Sequence, residues 1–580
     1  MIATPAPETS TGGNRIMANP THIVAGGGSA GCALAARLSE NPANNVLVIE
    51  AGPDHGTTNI PEDIRDTYAH RAMTNMAYFW PALQVTRGSH AHIPAAGRKP
   101  YFFYQGKLMG GGSSINGQVA LRGAPADFDG WAEAGAKGWD WGSVLPYFRK
   151  LETDLDYTDQ YHGAAGPITV RRIPRDQWDE FTNAVARSWE TQGHGFVPDM
   201  NGEFQEGYAP LPTSNDGTAR RSTANGHLSA EVRRRPNLTL MPETQVHRVL
   251  FLENRAIGLR VFRNGQIESH FGDNIIVSSG AFHSPKLLML SGIGPAEHLK
   301  QHGIPVIADR PGVGSNLQDH PLISVSAYLP RIAREKHVIR RNYSYLRFSS
   351  GIEACEPADM IMMAVCQSMW HAVGERIGTL STYISLPYSR GTVRLSGRDP
   401  DAPPAIDFNW LEDARDRTRL LEAFLRMGHM FTGEPVNRYA LNAFPSTFSE
   451  RVAAISRPTG LNAVLTNVAA MLLDSGAPIR KFLIDNVISE APALAGLLAD
   501  RRAAEDYVCS AVRSAWHPSC TCRMGAEDDP MAVTSPSAAV IGTRNLYVAD
   551  ASIMPRVTRT NTNLPSIMIG ERVADLLQQR

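Results

Sequence analysis

The chain has 580 residues, with 56 Lys and Arg against 57 Asp and Glu and a formal net charge of −1. So even a balance argues against a nucleic-acid or anionic-membrane partner. The six cysteines (Cys32, Cys355, Cys366, Cys509, Cys520, Cys522) are too few and too scattered for a disulfide framework and read as reduced thiols. The gap between Cys520 and Cys522 is not a zinc spacing, so no metal site is expected.

Residues 1–20 are rich in Thr, Pro, Ala and Gly and lack an apolar h-region, which predicts a disordered tail rather than a secretory signal, with Met17 available as an alternative start. No apolar run approaches the roughly 18 residues of a membrane span, so a soluble, cytoplasmic protein is expected. The length allows roughly three to four average domains, or fewer large α/β units.

Structure begins at residues 22–25, His22-Ile23-Val24-Ala25, which read as a buried strand. Gly26-Gly27-Gly28-Ser29-Ala30-Gly31 follows, then a helix over 32–38 and a second strand over 46–49 with Glu50 at its tip. Strand, glycine turn, helix and acid-tipped strand form a dinucleotide-binding pattern. Gly26 permits the tight turn, Gly28 lets the backbone approach a pyrophosphate, and Gly31 lets the helix pack on the strand. The helix N-terminus offers unpaired N–H groups and a partial positive charge. Glu50 can accept hydrogen bonds from a ribose 2′-OH. From this turn alone NAD and FAD are equally good occupants.

Residues 54–100 have weak periodicity and predict loops and short helices. Gly106-Lys107-Leu108-Met109-Gly110-Gly111-Gly112-Ser113-Ser114-Ile115-Asn116-Gly117 crowds backbone N–H groups, hydroxyls and an amide together, and predicts an irregular, ligand-contacting loop. Residues 127–152 predict surface helices. Residues 217–224 lead into a helix ending near Pro236, with Arg233-Arg234-Arg235 as its solvated end. Residues 238–240, 246–252 and 256–262 read as a strand meander. A buried strand at 274–280 continues into a helix over 281–290 with Pro285 in its first turn. The stretch 311–321, which contains Asp319-His320-Pro321, is a Gly/Pro-dense crossover between domains.

From about 323 to 505 the character changes. Strands are predicted at 322–328, 358–365, 379–385 and 391–395, of an antiparallel kind. A helix is predicted over 413–430, and the spacing of Leu461, Val464, Leu465, Val468 and Leu472 predicts an amphipathic helix over 461–474. Motif density returns with Ser514-Ala515-Trp516-His517-Pro518-Ser519-Cys520-Thr521-Cys522-Arg523-Met524-Gly525. A strand over 545–549 ends at Asp550, Asn561-Thr562-Asn563-Leu564-Pro565 follows, and a final helix is expected over 566–577.

Five ordered blocks (26–31 with Glu50, 106–116, 280–295, 516–525 and 550–565) resemble the glucose–methanol–choline (GMC) family of FAD-dependent alcohol oxidoreductases, essentially from Thr21 to the C-terminus. Within the family, residues 110–117 and the Asn561-Thr-Asn pattern look most like aromatic- and furan-alcohol oxidases. His517-Pro-Ser-Cys-Thr-Cys is also similar to choline-dehydrogenase-like members. The resemblance implies an α/β fold, α+β overall. A Rossmann-like FAD-binding domain would comprise 21–160, 216–322 and 506–580. A substrate domain with an antiparallel sheet flanked by helices would comprise 161–215 and 323–505. It further implies oxidation of a primary aromatic or furanic alcohol, of the 5-hydroxymethylfurfural type, to the aldehyde. A proton leaves the hydroxyl, a hydride leaves the carbon for flavin N5, and O2 gives H2O2. A quinone-dependent dehydrogenase and a hydroxynitrile-lyase-like, non-redox member stay open as alternatives, and the oligomeric state is left between monomer and dimer.

The resemblance puts the general base at His517 and the group that steadies the substrate oxygen at Asn561. Asparagine cannot take a proton, so the base is His517 alone. Gly26, Gly28, Ser29 and Gly31 would cradle the pyrophosphate and Glu50 the adenosine ribose. Met109, Gly112, Ser113, Asn116 and Gly117 would lie beside the flavin, and Val246 would meet the adenine through its backbone. Asp550 and Ala551 would approach the pyrophosphate, and Thr562 the pyrimidine end. The final helix would aim its N-terminus at the flavin. The family's histidyl-flavin members carry histidine in the second block. This chain has none between Gly106 and Gly123, which implies non-covalent FAD. Trp516 and Trp370 are candidate walls of the substrate pocket. Aromatic walls suit a flat alcohol better than a quaternary amine, which would also want a nearby acid.

Overall fold

The computed structural model describes residues 20–88, 92–334 and 342–579, so the expected tail lies almost wholly outside the described residues. Helices and sheets are mixed, and two sheets position the site. The first has five strands in the order Leu546–Val548, Asn274–Val277, His22–Ala25, Val46–Ile49, Leu238–Met241. Every neighbouring pair is parallel, with His22 opposite both Asn274 and Val46. The apolar runs make this inevitable: a strand apolar on both faces must be covered on both. The covering helices are α1 (Ser29–Leu38), α2 (Gly280–Leu290) and α3 (Asn563–Gln578). α1 and α3 approach closely, since a Cβ on Gly570 would lie 2.4 Å from the Ala30 carbonyl oxygen. His22–Ala25 sits centrally, with its sequence successor on one side and Asn274–Val277 on the other. That is a topological switch point, and ligands bind outside the carboxyl ends of the strands there.

Several local expectations change. Leu238–Met241 is the outer strand of the parallel sheet. The meander is instead Gln245–Leu252, Arg255–Arg263 and Gln266–Phe271. The helix expected up to Pro236 is a run of turns with one 3-10 turn, Val232–Arg234. There the Asn225 side chain accepts from Ser222 N at 2.9 Å, a local bond that competes with helix. Arg233 is not solvated but pairs with Asp54 at 2.5 Å. Helices Pro125–Glu133 and Trp141–Leu151 form, yet Phe128, Trp131, Trp139 and Phe148 are fully buried around them. Pro285 falls in the second turn of α2. It has no N–H for the Ala281 carbonyl, and Thr521 Oγ1 donates to that carbonyl at 2.7 Å. The 514–525 motif is thereby tied to α2.

The second sheet is antiparallel. Its path runs Leu441–Ser446, Pro321–Tyr328, Ile377–Ile384, Met360–Val365, Asn342–Phe348, Gly207–Pro210, and Arg513–Ser514 pairs with Pro321–Tyr328. The run expected at 391–395 is Thr392–Arg394, which pairs with Ala405–Asp407 outside this sheet. Helix Ala414–Thr432 buries Leu420, Phe424 and Met427 in one core with Val325 and Leu380. Helix Gly460–Asp474 forms as expected, but its apolar stripe faces outward: Leu461 is 69% and Val464 62% exposed, while Thr466, Ala470 and Leu473 are buried. Among the described residues no helix is long and apolar enough to cross a membrane, and all six cysteines are free.

Candidate active site

A cavity of about 410 Å³ opens at the carboxyl ends of the parallel strands and is closed by the antiparallel sheet. Among the residues that line it are Gly26, Gly28, Ser29, Glu50, Gly112, Asn116, Gly117, Val246, Asp550, Ala551 and Thr562. The glycines divide by role. Gly26 has φ +112°, and a Cβ there would sit 2.4 Å from the Ser278 carbonyl oxygen. A Cβ on Gly31 would lie 2.0 Å from the Gly26 carbonyl oxygen, so Gly31 serves the packing of turn on helix. A Cβ on Gly28 would meet nothing nearer than 3.9 Å, and one on Gly112 or Gly117 nothing within 4 Å. What such methyl groups would fill is the cavity itself, the mark of a cradle for a ligand.

Glu50 braces the turn: its carboxylate accepts from Gly27 N at 2.9 Å and Gly52 N at 2.8 Å. Burial raises its pKa. Asp550 accepts from Gly280 N at 2.9 Å, Ser284 Oγ at 2.5 Å and Ser552 N at 2.8 Å, which joins α2 to the end of the sheet. Met109 lies under Gly27, and Ser113 bonds the Gly110 carbonyl at 2.6 Å and Thr223 N at 3.1 Å. Both stand behind the cavity wall, as Gly31 does. The 106–117 block is not wholly irregular, since Gly112–Ile115 makes one helical turn. Asn116 Oδ1 accepts from Gln118 N and Arg220 Nη1, both at 2.9 Å. The starts of α1 and α3 line the same cavity, and neither is capped by the side chain of its cap residue. Unpaired N–H groups with the positive end of the dipole suit phosphate. This donor set, with the open glycine cradle, fits the dinucleotide FAD.

Around His517 the chain folds back on itself. Ser514 pairs with Pro321 and Ser519 bridges Gln318, which places His517 opposite Asp319 and His320. His517 N donates to Asp319 Oδ1 at 2.8 Å. Its ring Nδ1 is 2.8 Å from His320 Nδ1, and its Nε2 is 2.9 Å from Asn561 Nδ2. The two candidate catalytic residues are thus brought together. Burial, and then the neighbouring His320 ring, holds the His517 pKa well below the ordinary histidine value. Asn561 Oδ1 is buried without a protein partner beside the cavity. α3 begins three residues earlier than expected, so Thr562 is its cap residue and Asn561 immediately precedes it.

Trp516 adopts φ +62°, a left-handed backbone that costs a bulky residue energy and recurs at functional sites. Its ring meets Phe448 edge-on at 6.2 Å, and both line the cavity. Trp370 does not line it. Its Nε1 donates to the Ser456 carbonyl at 2.6 Å, and the preceding Met369 takes the wall position. The antiparallel sheet adds Leu322, Tyr345 and Met363. The sequence reading passed over His320 and over Tyr383, stacked on it at 5.0 Å. The Asp-His-Pro stretch was the available signal for the former. Away from the cavity, Glu152, Asp154 and His162 cluster tightly enough to hold a cation. Arg122 pairs with Glu152, and Arg172 pairs with Asp154 at 2.9 Å, so the carboxylates already have cationic partners.

Family models described as GMC oxidoreductase match residues 21–322 and 387–570. The 5-(hydroxymethyl)furfural oxidase of Methylovorus sp. (strain MP688) is 38% identical over 566 residues, which cover 96% of this chain and 98% of that protein. The oxygen-dependent choline dehydrogenase of Brucella suis biovar 1 (strain 1330) is 32% identical and covers 95% of this chain and 94% of its own. Among solved structures, pyridoxine 4-oxidase from Mesorbium loti superposes with a TM-score of 0.79 at 26% identity, over 97% of this chain and 100% of that one.

Proposed function

The chain belongs to the GMC oxidoreductase family, an FAD-dependent group, and on that premise we propose that it oxidises an uncharged primary alcohol, aromatic or furanic, to the aldehyde, with FAD held non-covalently and O2 as final acceptor. The observation that carries this reading is His517 Nε2 beside Asn561 Nδ2, 2.9 Å apart, in a cavity whose wall of Leu322, Tyr345, Met363, Phe448 and Trp516 bears no charge. In this reading residues 21–160, 216–322 and 506–580 hold the nucleotide, and 161–215 and 323–505 wall the alcohol.

FAD, when bound, supplies a hydride acceptor at N5. The residues supply the rest. Burial keeps His517 neutral, and the alcohol hydroxyl takes the place of the Asn561 N–H at the Nε2 lone pair, which then accepts the hydroxyl proton. The Asn561 amide has a second N–H for the substrate oxygen, which it steadies as negative charge builds. The apolar wall excludes water and orients a flat ring. A quaternary ammonium substrate would gain from a carboxylate in that wall, and none of these five residues provides one. Non-covalent attachment is favoured by the lack of a histidine between Gly106 and Gly123.

Anaerobic mixing of the FAD-loaded protein with benzyl alcohol, 5-hydroxymethylfurfural and choline tests the proposal. Loss of oxidised-flavin absorbance with the first two and not with choline is expected. Reoxidation by air with peroxide release supports the oxidase reading, whereas reoxidation only by an added quinone overturns it. Reduction by choline alone overturns the substrate class.

A further inference from the structure

Two histidines, not one, occupy the catalytic end. His320 Nδ1 lies 2.8 Å from His517 Nδ1, although 197 residues separate them in the chain. Both rings are buried, with His320 fully so. His320 is clamped by a stacked Tyr383 ring at 5.0 Å and 12°, and its own backbone carbonyl accepts from Ala515 N at 3.0 Å. The backbone carbonyls of Thr558 and Ser385 face its ring. His320 itself stands behind the cavity wall, which its partners Ala515 and His517 line.

Two Nδ1 atoms at hydrogen-bond distance must share one proton, so one ring donates and the other accepts. His320 Nε2 makes no hydrogen bond, but Asn561 Nδ2, which only donates, lies 2.9 Å from His517 Nε2 and requires a lone pair there. His517 must then carry its proton on Nδ1 and point it at His320. The order of protons is fixed from Asn561 inward.

From this geometry we infer that His320 is a positioning residue for His517: it accepts the Nδ1 proton, locks the tautomer whose Nε2 lone pair faces the substrate, and stabilises the ring when Nε2 takes a second proton. This rests on the reading of His517 as the base in alcohol oxidation. The O–H bond of the alcohol breaks and an N–H bond forms at His517 Nε2, while the hydride goes to FAD, the oxidant. The imidazolium so formed is buried on its Nδ1 side, and its Nδ1–H needs an acceptor. The other groups around the pair are Asp319, whose buried carboxyl is pushed up to about 7 and accepts from His517 N, and the Tyr383 phenol, which burial keeps neutral. Neither contacts His517 Nδ1 in place of His320.

The experiment compares His320→Asn, whose amide oxygen can accept at about the same place, with His320→Leu, which keeps bulk and loses the acceptor. FAD content and thermal unfolding are measured alongside the anaerobic reduction rate against pH. Histidine ¹⁵N shifts of the substrate-free wild-type protein report the tautomer directly. The expected result is a wild-type His517 protonated at Nδ1 and bare at Nε2. His320→Leu should reduce its flavin roughly 10²–10³-fold more slowly at unchanged FAD content, with KM nearly unaltered, and His320→Asn should fall within about tenfold of wild type. A wild-type His517 protonated at Nε2 overturns the inference, and so does equal loss in the Asn and Leu variants or full activity in Leu. If Leu fails to fold, the tautomer spectrum and the Asn variant still decide. If the wild type reduces no flavin with any alcohol, the alcohol reading fails while the tautomer measurement still stands or falls by itself.

Discussion

Gly28→Ala separates a cofactor cradle from an ordinary glycine turn. Gly28 has φ −76° and ψ −165°, a backbone open to alanine, and the new Cβ would meet only the Ser278 carbonyl oxygen at 3.9 Å. The protein without FAD should therefore lose about 1 kcal/mol or less, the scale of an altered N-cap. The methyl group would instead project into the cavity, where the proposed reading places the phosphates. Forcing one methyl into a close-packed contact costs about 1–3 kcal/mol, which corresponds to roughly 5- to 150-fold in the Kd for FAD. Gly31→Ala is the control, because its Cβ would fall 2.0 Å from the Gly26 carbonyl oxygen and must open the turn whether or not FAD is present. The assay is FAD titration of the stripped protein by flavin fluorescence, with thermal unfolding followed by circular dichroism. Wild-type FAD affinity in Gly28→Ala refutes the reasoning, and so does a loss of cofactor-free stability as large as that of Gly31→Ala.

The pH dependence of flavin reduction follows from the depressed His517 pKa: the ring stays neutral as pH falls through 6.5, so the acidic limb should lie below the ordinary histidine value of about 6.5. A limb at or above that value contradicts it. Thr521→Val should destabilise by about 1–3 kcal/mol in denaturant unfolding, because the buried Ala281 carbonyl, which Pro285 cannot serve, would lose the Thr521 hydroxyl. An unchanged midpoint would show that the carbonyl finds another partner. Acid precipitation should leave FAD in the supernatant, and flavin retained in the pellet would overturn non-covalent attachment.

What could be read in the sequence was local. The turn at 26–31, the acid at 50 and the His517 and Asn561 motifs encode backbone shapes or chemical types within a dozen residues, and the structure assembles most of them around one cavity. What could not be read was the consequence of distant packing. The pairing of His320 with His517 depends on strand Arg513–Ser514 joining Pro321–Tyr328, which no local pattern announces. The spacing of Leu461 to Leu472 identifies a helix but not which face the rest of the chain covers, and that face is left exposed. Trp370 is a candidate wall as a tryptophan of the substrate domain, whereas the structure gives the wall to Met369 and ties the indole to Ser456. Leu238–Met241 resembled a meander strand only because strand pairing is decided by partners far along the chain.

The central claim, that His517 is the base for alcohol oxidation, is tested most directly by single-turnover anaerobic reduction of FAD-loaded wild-type and His517→Ala protein with an aromatic primary alcohol. The account predicts full FAD content in the variant and reduction slower by roughly 10²–10⁴-fold, about 3–5 kcal/mol of transition-state stabilisation. Reduction of the variant at the wild-type rate would contradict it.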